Sequence, residues 1–296
     1  MVSNGFEIIT SWNDKIGENF SYNIKANLTD SRQKVTKYPN KNNSLGTYYE
    51  GQYLGEIWGY QTRGIAKTDA EMTEWLKTHD QSALGNNWAA GDIMYEDLNG
   101  DGKINGGSNT VGDPGDRKII GNTTPRYNFG LLVDLKYKNV YFSMFWQGTG
   151  KRDLIFNDSP YFRGANQNVW QSAGFKEHLD YFRPEGTDSP FGPNVDAYYP
   201  RPTMDGGGKN FVGQTRWVQN AAYVRLKNIQ LGYDFPSDIM KTIGIDNLRI
   251  YISADNVFTF TKLSKIFDPE ANGGSWGQGK LYPLSRVIST GLSLTF

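Results

Sequence analysis

The chain has 296 residues, sets 31 basic against 31 acidic side chains and contains no cysteine. This excludes a disulfide framework and thiol-ligated metals, and leaves no net electrostatic pull toward nucleic acid or anionic lipid. Hydrophobic residues reach only 38%, yet aromatics reach 14% and there are 34 glycines. That balance suits strands with one apolar face and long polar loops. No apolar run approaches the ~20 residues of a membrane helix.

In chain order, Gly5 to Ser11 alternates, with Phe6, Ile8, Thr10 and Trp12 on one parity. After a turn expected over Asn13–Gly17, alternation restarts as Phe20, Tyr22, Ile24, Ala26 and Leu28, against Ser21, Asn23, Lys25, Asn27 and Thr29. Side chains of a strand alternate faces, so each segment has one apolar and one polar face. The short turn predicts a hairpin.

From Asp30 to about Pro125 the pattern is irregular. Tyr48 to Gln61 could pair as strand but reads as loop structure. Thr68-Asp69-Ala70-Glu71 is a capping box, followed by Met72, Trp75 and Leu76 at helical spacing. One short loop helix is therefore expected, ending near His79 and packed through its Trp75 side.

Tyr127 to Tyr137 is the cleanest strand: Phe129, Leu131, Val133, Leu135 and Tyr137 alternate with Asn128, Gly130, Asp134 and Lys136. Lys138-Asn139 turns it, and Val140, Phe142, Met144 and Trp146 carry the apolar face onward. After a second long loop come Tyr223 to Asp234, Asn247 to Phe260, and Arg286 to Phe296. The first of these changes parity between Leu226 and Ile229, which predicts a β-bulge near Lys227-Asn228. The last ends on an aromatic residue, with Ile288, Thr290, Leu292, Leu294 and Phe296 on one face.

Links between the strands sort by length. Asn13–Gly17, Lys138–Asn139 and Phe235–Asp246 are short, whereas the intervals of about 30–125, 150–222 and 261–285 are long. Strict alternation of short and long links is the habit of barrels with short periplasmic turns and long extracellular loops. It places the C-terminus in the periplasm. The fold expected is all-β: seven membrane strands of a large antiparallel transmembrane β-barrel. Seven cannot close a bacterial single-chain barrel, whose strand count is even and at least about eight. With no export signal before the first strand, the chain reads as the C-terminal segment of something longer, in which Met1 is an internal methionine.

Several motifs then resemble the SusC/RagA-like TonB-dependent outer-membrane transporters. They are Gly91–Asn105 (G-D-I-M-Y-E-D-L-N-G-D-G-K-I-N), Ile120–Gly130 (I-G-N-T-T-P-R-Y-N-F-G), Phe145–Gly148, Tyr198–Arg201 (Y-Y-P-R), Ala221–Tyr233, Asn256–Phe260, Asp268–Glu270 (D-P-E) and the terminal Phe296. The resemblance implies a plugged barrel of about 22 strands, of which this chain would supply the last third. It implies an outer-membrane importer of glycans, peptides or other large nutrients. A SusD-like surface lipoprotein would act as its lid, and TonB–ExbB–ExbD would drive it through an N-terminal plug absent from this chain. Signal peptide and TonB box are absent as well.

Candidate chemistry is sparse. Asp97, Asn99 and Asp101 with the Lys103 carbonyl fit the first half of a calcium loop, so a structural calcium ion is a candidate; the twelfth position is Ser108 rather than Glu. The alternative is a turn closed by its own side-chain-to-backbone hydrogen bonds. Tyr161, Trp170, Tyr198, Trp217 and Trp276 lie in the later loops, where aromatic faces can stack on sugars or peptides or touch a lid, or can simply pack. Gly273–Gly277 matches G-x-S-x-G, but its flanks are loop and both histidines, His79 and His178, precede it. No catalytic residue is expected. A soluble all-β carbohydrate-binding or glycan-processing domain is the competing reading, and detergent dependence separates the two.

Overall fold

In the computed structural model the structure describes residues 1–156, 158–164, 174–203, 208–271 and 281–296. Alternation commits seven segments to one antiparallel sheet: β1 (Val2–Ile16), β2 (Phe20–Lys34), β7 (Arg126–Tyr137), β8 (Val140–Lys151), β11 (Tyr223–Asp234), β12 (Asn247–Thr261) and β13 (Val287–Thr295). They are neighbours in chain order, each paired antiparallel with the next, and β1 and β13 are the two edges among the described residues. The seven expected strands are all present. Most exceed the ~9–11 residues that cross a membrane as a tilted strand.

The first turn is later and tighter than expected. β1 runs through Asn13–Ile16, pairing Ile16 with Phe20, and only Gly17, Glu18 and Asn19 turn. Gly17 has φ +64°, which a glycine adopts without penalty. The bulge falls where the parity change put it: β11 shifts register between Leu226 and Asn228 against both β8 and β12. That extra residue keeps Leu226 opposite Trp146 and Ile229 opposite Met144, so the apolar residues of both strands share one face.

Apolar side chains of this face point to the outside of the molecule. Trp12, Phe258, Phe260, Ile288 and Leu292 are each more than half exposed. No described helix is long and apolar enough to cross a membrane, which says nothing of strands.

The buried core lies in the long connections. Smaller two-stranded sheets form there: β3 (Glu56–Tyr60) with β6 (Arg117–Asn122), β4 (Thr62–Ile65) with β5 (Ile93–Tyr95), and β9 (Asp153–Ile155) with β10 (Val218–Asn220). Tyr48–Gln61 is thus loop structure, as expected, with its second part paired. The helix is there as well: α1 (Asp69–Leu76) is capped by Thr68, which accepts from the Glu71 amide at 3.1 Å, and buries Met72. One helix was an undercount. Among the described residues there are two further short ones: α2 (Pro160–Arg163), where Ser159 Oγ accepts from the Phe162 amide at 3.3 Å, and α3 (Ser237–Lys241), which has no side-chain cap. α3 sits inside the third short link.

Candidate functional site

Two surfaces could do work: the polar face of the sheet and the loop structure at one end of it. On the polar face Asp134 accepts from Asn23 Nδ2 (3.0 Å) and Ser143 Oγ (2.6 Å), Thr149 Oγ1 donates to Asn128 Oδ1 (2.9 Å), and Asn228 Nδ2 donates to Asp255 (2.8 Å). Each bond joins neighbouring strands. Near the short turns Arg249 pairs with Asp234 (2.5 Å), its guanidinium 4.6 Å from the Tyr141 ring. Tyr141 lies flat over Gly232, and Tyr251 over Gly291, so close that a Cβ at either glycine would collide with the ring. The missing side chains let tyrosines cover the backbone of the next strand and hold its register. Lys15, Asn23, Asp134, Lys136 and Arg249 line a broad concavity here. The face is charged and largely self-paired, as suits a polar barrel lumen.

Toward the long loops, Arg225 is buried and donates to Thr259 Oγ1 (2.7 Å), Glu270 (2.6 Å) and Asp268 (2.7 Å), with Lys227 3.2 Å from Glu270. The D-P-E run is thereby strapped to the inward side of β11. Two motifs that carried the resemblance, far apart in sequence, meet through these ion pairs.

The loops share one core in which Phe156, Phe162, Tyr199, Phe211, Trp217 and Phe267 pack ring against ring. Beside it Asp92 is fully buried and accepts from Arg201 (2.9 Å), Lys209 (2.7 Å), Asn210 (2.9 Å) and the Ala89 amide (2.9 Å). Burial alone would raise the Asp92 pKa, but these donors outweigh it and hold the carboxyl below the usual range. Gln81 and Gln214 extend the network: Gln81 accepts from the Tyr95 amide (2.7 Å), and Gln214 Nε2 donates to Tyr95 Oη (2.9 Å) and the Asn210 carbonyl (2.8 Å). First and second long loops are welded together. Sequence reading missed Asp92, Lys209, Gln214 and Arg225, because key partners lie tens to more than a hundred residues away, and Gln81, whose partners are 6 to 14 residues away but follow no regular spacing.

Of the expected contact aromatics, Trp217 is fully buried, stacked 4.8 Å from Phe211 and donating to the Asn210 carbonyl. Tyr198 is half-buried; its hydroxyl donates to Arg216 O (2.8 Å) and accepts from Gln219 (2.7 Å), and burial pushes its pKa up to about 12. Tyr161 is half-buried beside Phe175. Trp170, Trp276 and the Gly273–Gly277 run lie outside the described residues.

In the Asp97 loop, Asp97 accepts from the amides of Gly100 and Gly102 (both 2.7 Å), Asn99 from Asp101 N (2.9 Å), and Asp101 from Lys103 N (2.8 Å). Buried Asp116 accepts from Leu98 N (2.9 Å) and Asn105 N (2.8 Å), while Asp113 accepts from Ser108 N (2.9 Å). The side-chain oxygens thus close the turn on its own amides. Among the described residues no group of three or more His, Asp or Glu side chains is disposed to hold a metal ion.

No family model matches the chain. It is 26% identical over 99% of its length to TonB-dependent receptor P3 of Formosa agariphila, and 29% identical over 83% of its length to TonB-dependent receptor P26 of the same organism. Identity to TonB-dependent receptor SusC of Bacteroides thetaiotaomicron is 23% over 99% of the chain. The chain spans 28%, 23% and 26% of these relatives respectively. Among solved structures, it superposes over 99% of its length on 29% of a chain of the RagAB peptide transporter, at 21% identity and a TM-score of 0.67. A closed-closed state of the RagAB peptide importer gives 23% identity over the same shares and a TM-score of 0.68. These are receptors and transporters. A sheet with one apolar and one polar face, matched end to end within such proteins, makes the chain similar to the barrel wall of SusC/RagA-like TonB-dependent receptors.

Proposed function

We propose that the chain forms part of the conduit of a TonB-driven importer of large nutrients, glycans or peptides. The intervals of about 30–125, 150–222 and 261–285 are its cell-surface loops and the C-terminus lies in the periplasm. The observation that carries this reading is the inversion of the sheet: side chains more than half exposed, such as Ile288 and Leu292, form its outer face, while ion pairs such as Arg249–Asp234 occupy the inner one. The loop cap is where substrate is met, through the accessible edges of Tyr161 and Tyr198, with a SusD-like lipoprotein closing over it. Support comes from the RagAB transporter likeness and from the SusC relative. TonB–ExbB–ExbD would act through a plug.

The absence of native cysteine makes the orientation directly measurable. Single cysteines at Asn43 and Ser189 should react with a membrane-impermeant maleimide on intact cells, whereas those at Glu18 and Lys138 should react only after permeabilisation. Equal labelling of both pairs on intact cells overturns the orientation. For transport, deleting the gene should abolish TonB-dependent growth on the glycan or peptide that induces it; unchanged growth on every large nutrient tried would sink the importer reading.

A further inference from the structure

At the loop ends of β2, β7 and β8, the apolar outer face gives way to cations. Leu28 is the last aliphatic side chain of β2, opposite Phe129 of β7 and Ile8 of β1. Asp30, Arg32 and Lys34 follow it at alternate positions and share its face. Arg32 stands about 13 Å beyond Leu28 along the strand, at ~3.3 Å per residue. Tyr127 has φ +57°, which breaks the alternation of β7 and brings Arg126 to Asp30, to which it donates through both Nε and Nη2. Lys151 is the ladder partner of Arg126, while its neighbour Arg152 lines the groove on the inner side with Asn128 and Gln147.

Arg32, Arg126 and Lys151 converge with Tyr53, Asn122 and Thr124 on a small recess of about 60 Å³. The Arg32 guanidinium lies 3.8 Å over the Tyr53 ring and Lys34 Nζ 5.5 Å from it, so both cations are held at the recess. Nearby carboxylates are already engaged. Asp30 is taken by Arg126, Glu56 by the Tyr53 amide (3.0 Å) and the Tyr49 hydroxyl, and Asp153 by the Asn122 amide (3.0 Å). Four cations therefore gather beside three carboxylates, of which only Asp30 is ion-paired to one of them, in a chain whose total charge is zero.

We propose that this rim is an anion site for the phosphate of a glycolipid headgroup in the outer leaflet. Guanidinium groups present parallel N–H donors that match a phosphate, and lysines add point charge. Cations just beyond an apolar band sit at headgroup depth, where anionic lipid attracts them. The recess adjoins the lipid-facing surface rather than the lumen, which selects a lipid phosphate over a soluble one. The proposal rests on the membrane-barrel reading above.

The test uses full-length protein in mild detergent, with lipid A, dephosphorylated lipid A and inorganic phosphate as probes and native mass spectrometry as the readout. Native protein should retain lipid A, retain the dephosphorylated form far less, and not release lipid A to phosphate. Arg32→Gln and Lys151→Gln should each weaken retention about fivefold, and the double variant more. Equal retention of dephosphorylated lipid A, full retention by the double variant, or displacement by phosphate would each overturn the site. Insertion into liposomes is scored in parallel. Native protein that fails to insert sinks the barrel reading, whereas insertion without phosphate selectivity sinks the rim site alone.

Discussion

The sheet and the loop cap are built on opposite rules within one chain. In the cap, large side chains such as Trp217, Phe156 and Ile104 are fully buried, and buried charges are held by ion pairs, as at Asp92, or by backbone groups, as at Asp116, in the manner of a water-soluble domain. In the sheet, Phe258 and Ile288 are exposed and the polar face carries the hydrogen bonds. The difference teaches where each part finds its stability. In the proposed barrel the sheet strands are held by a backbone ladder that lipid enforces, since unpaired amides are costly in hydrocarbon. Cap segments are held by hydrophobic burial and a few long-range polar contacts. Perturbations should therefore segregate by region.

The largest contrast should come from truncating equally large side chains. Trp217→Ala empties a fully buried site stacked on Phe211 and should cost the cap ~3–5 kcal/mol. Phe258→Ala, at a side chain 55% exposed on the outer face, should leave the cap unchanged. Limited proteolysis in detergent checks both: cleavage in the loops should rise for the first variant and not for the second. Equal protection of the two variants would show that the cap has no core of its own.

Next is Asp92→Asn. It leaves Lys209, which is buried, without its carboxylate, and Arg201 loses the same partner; removing one member of a buried pair costs ~3 kcal/mol or more. The same group sets a pH dependence. Its folded pKa is depressed, so its contribution to stability is present above the unfolded value of about 4 and is lost as pH falls through the folded value. Loop protection from proteolysis should fall in acid, below about pH 4, while the sheet stays intact; the variant should lack that acid step. An acid transition of the same size in Asp92→Asn would assign it elsewhere.

Legibility in the sequence divides along the same line. Sheet strands announce themselves because a two-residue period is local, and even the β11 bulge showed as a parity change between Leu226 and Ile229. Strand ends were less visible. Asn13–Lys15 read as a turn from polarity alone, yet they continue β1, because beyond the membrane a strand has no need of apolar residues. Thr68 and Glu71 exposed α1 through a cap, whereas α3 follows Pro236, which caps with no side chain. The cap's organising contacts were illegible. Asp92 and Lys209 are 117 positions apart, and nothing local distinguishes Asp92 from a solvated loop acid until the fold brings the two together.

The two faces of one strand offer a sharper test. Ile252 points outward from β12, opposite Leu231 and Thr290, and its neighbour Ser253 points inward. A lysine at Ile252 should cost ~2–4 kcal/mol at membrane depth, and one at Ser253 far less, since the lumen is wet. Folding yield into liposomes, read by the heat-modified gel shift of a closed barrel, should fall for Ile252→Lys alone. Equal yields would remove the distinction between the faces.

The smallest expected effect isolates the cap most cleanly. Thr68 is the side-chain N-cap of α1, accepting from the Glu71 amide at 3.1 Å, while Glu71 accepts from the Lys67 amide at 2.6 Å. Thr68→Ala orphans one helical N–H and should cost ~1 kcal/mol. The eight-residue helix is too short to persist without help, so its anchor is Met72, buried in the small cluster with Ala66 and Met94. Those residues lie on the same stretch that bears Asp92, so fraying of α1 should propagate to the loop cap and stop there. Hydrogen exchange should quicken across residues 66–79 and at Asp92–Tyr95, with β1, β12 and β13 unchanged. Exchange quickening equally in the sheet would mean that cap and sheet unfold as one unit, and the contrast between them would then be one of composition only.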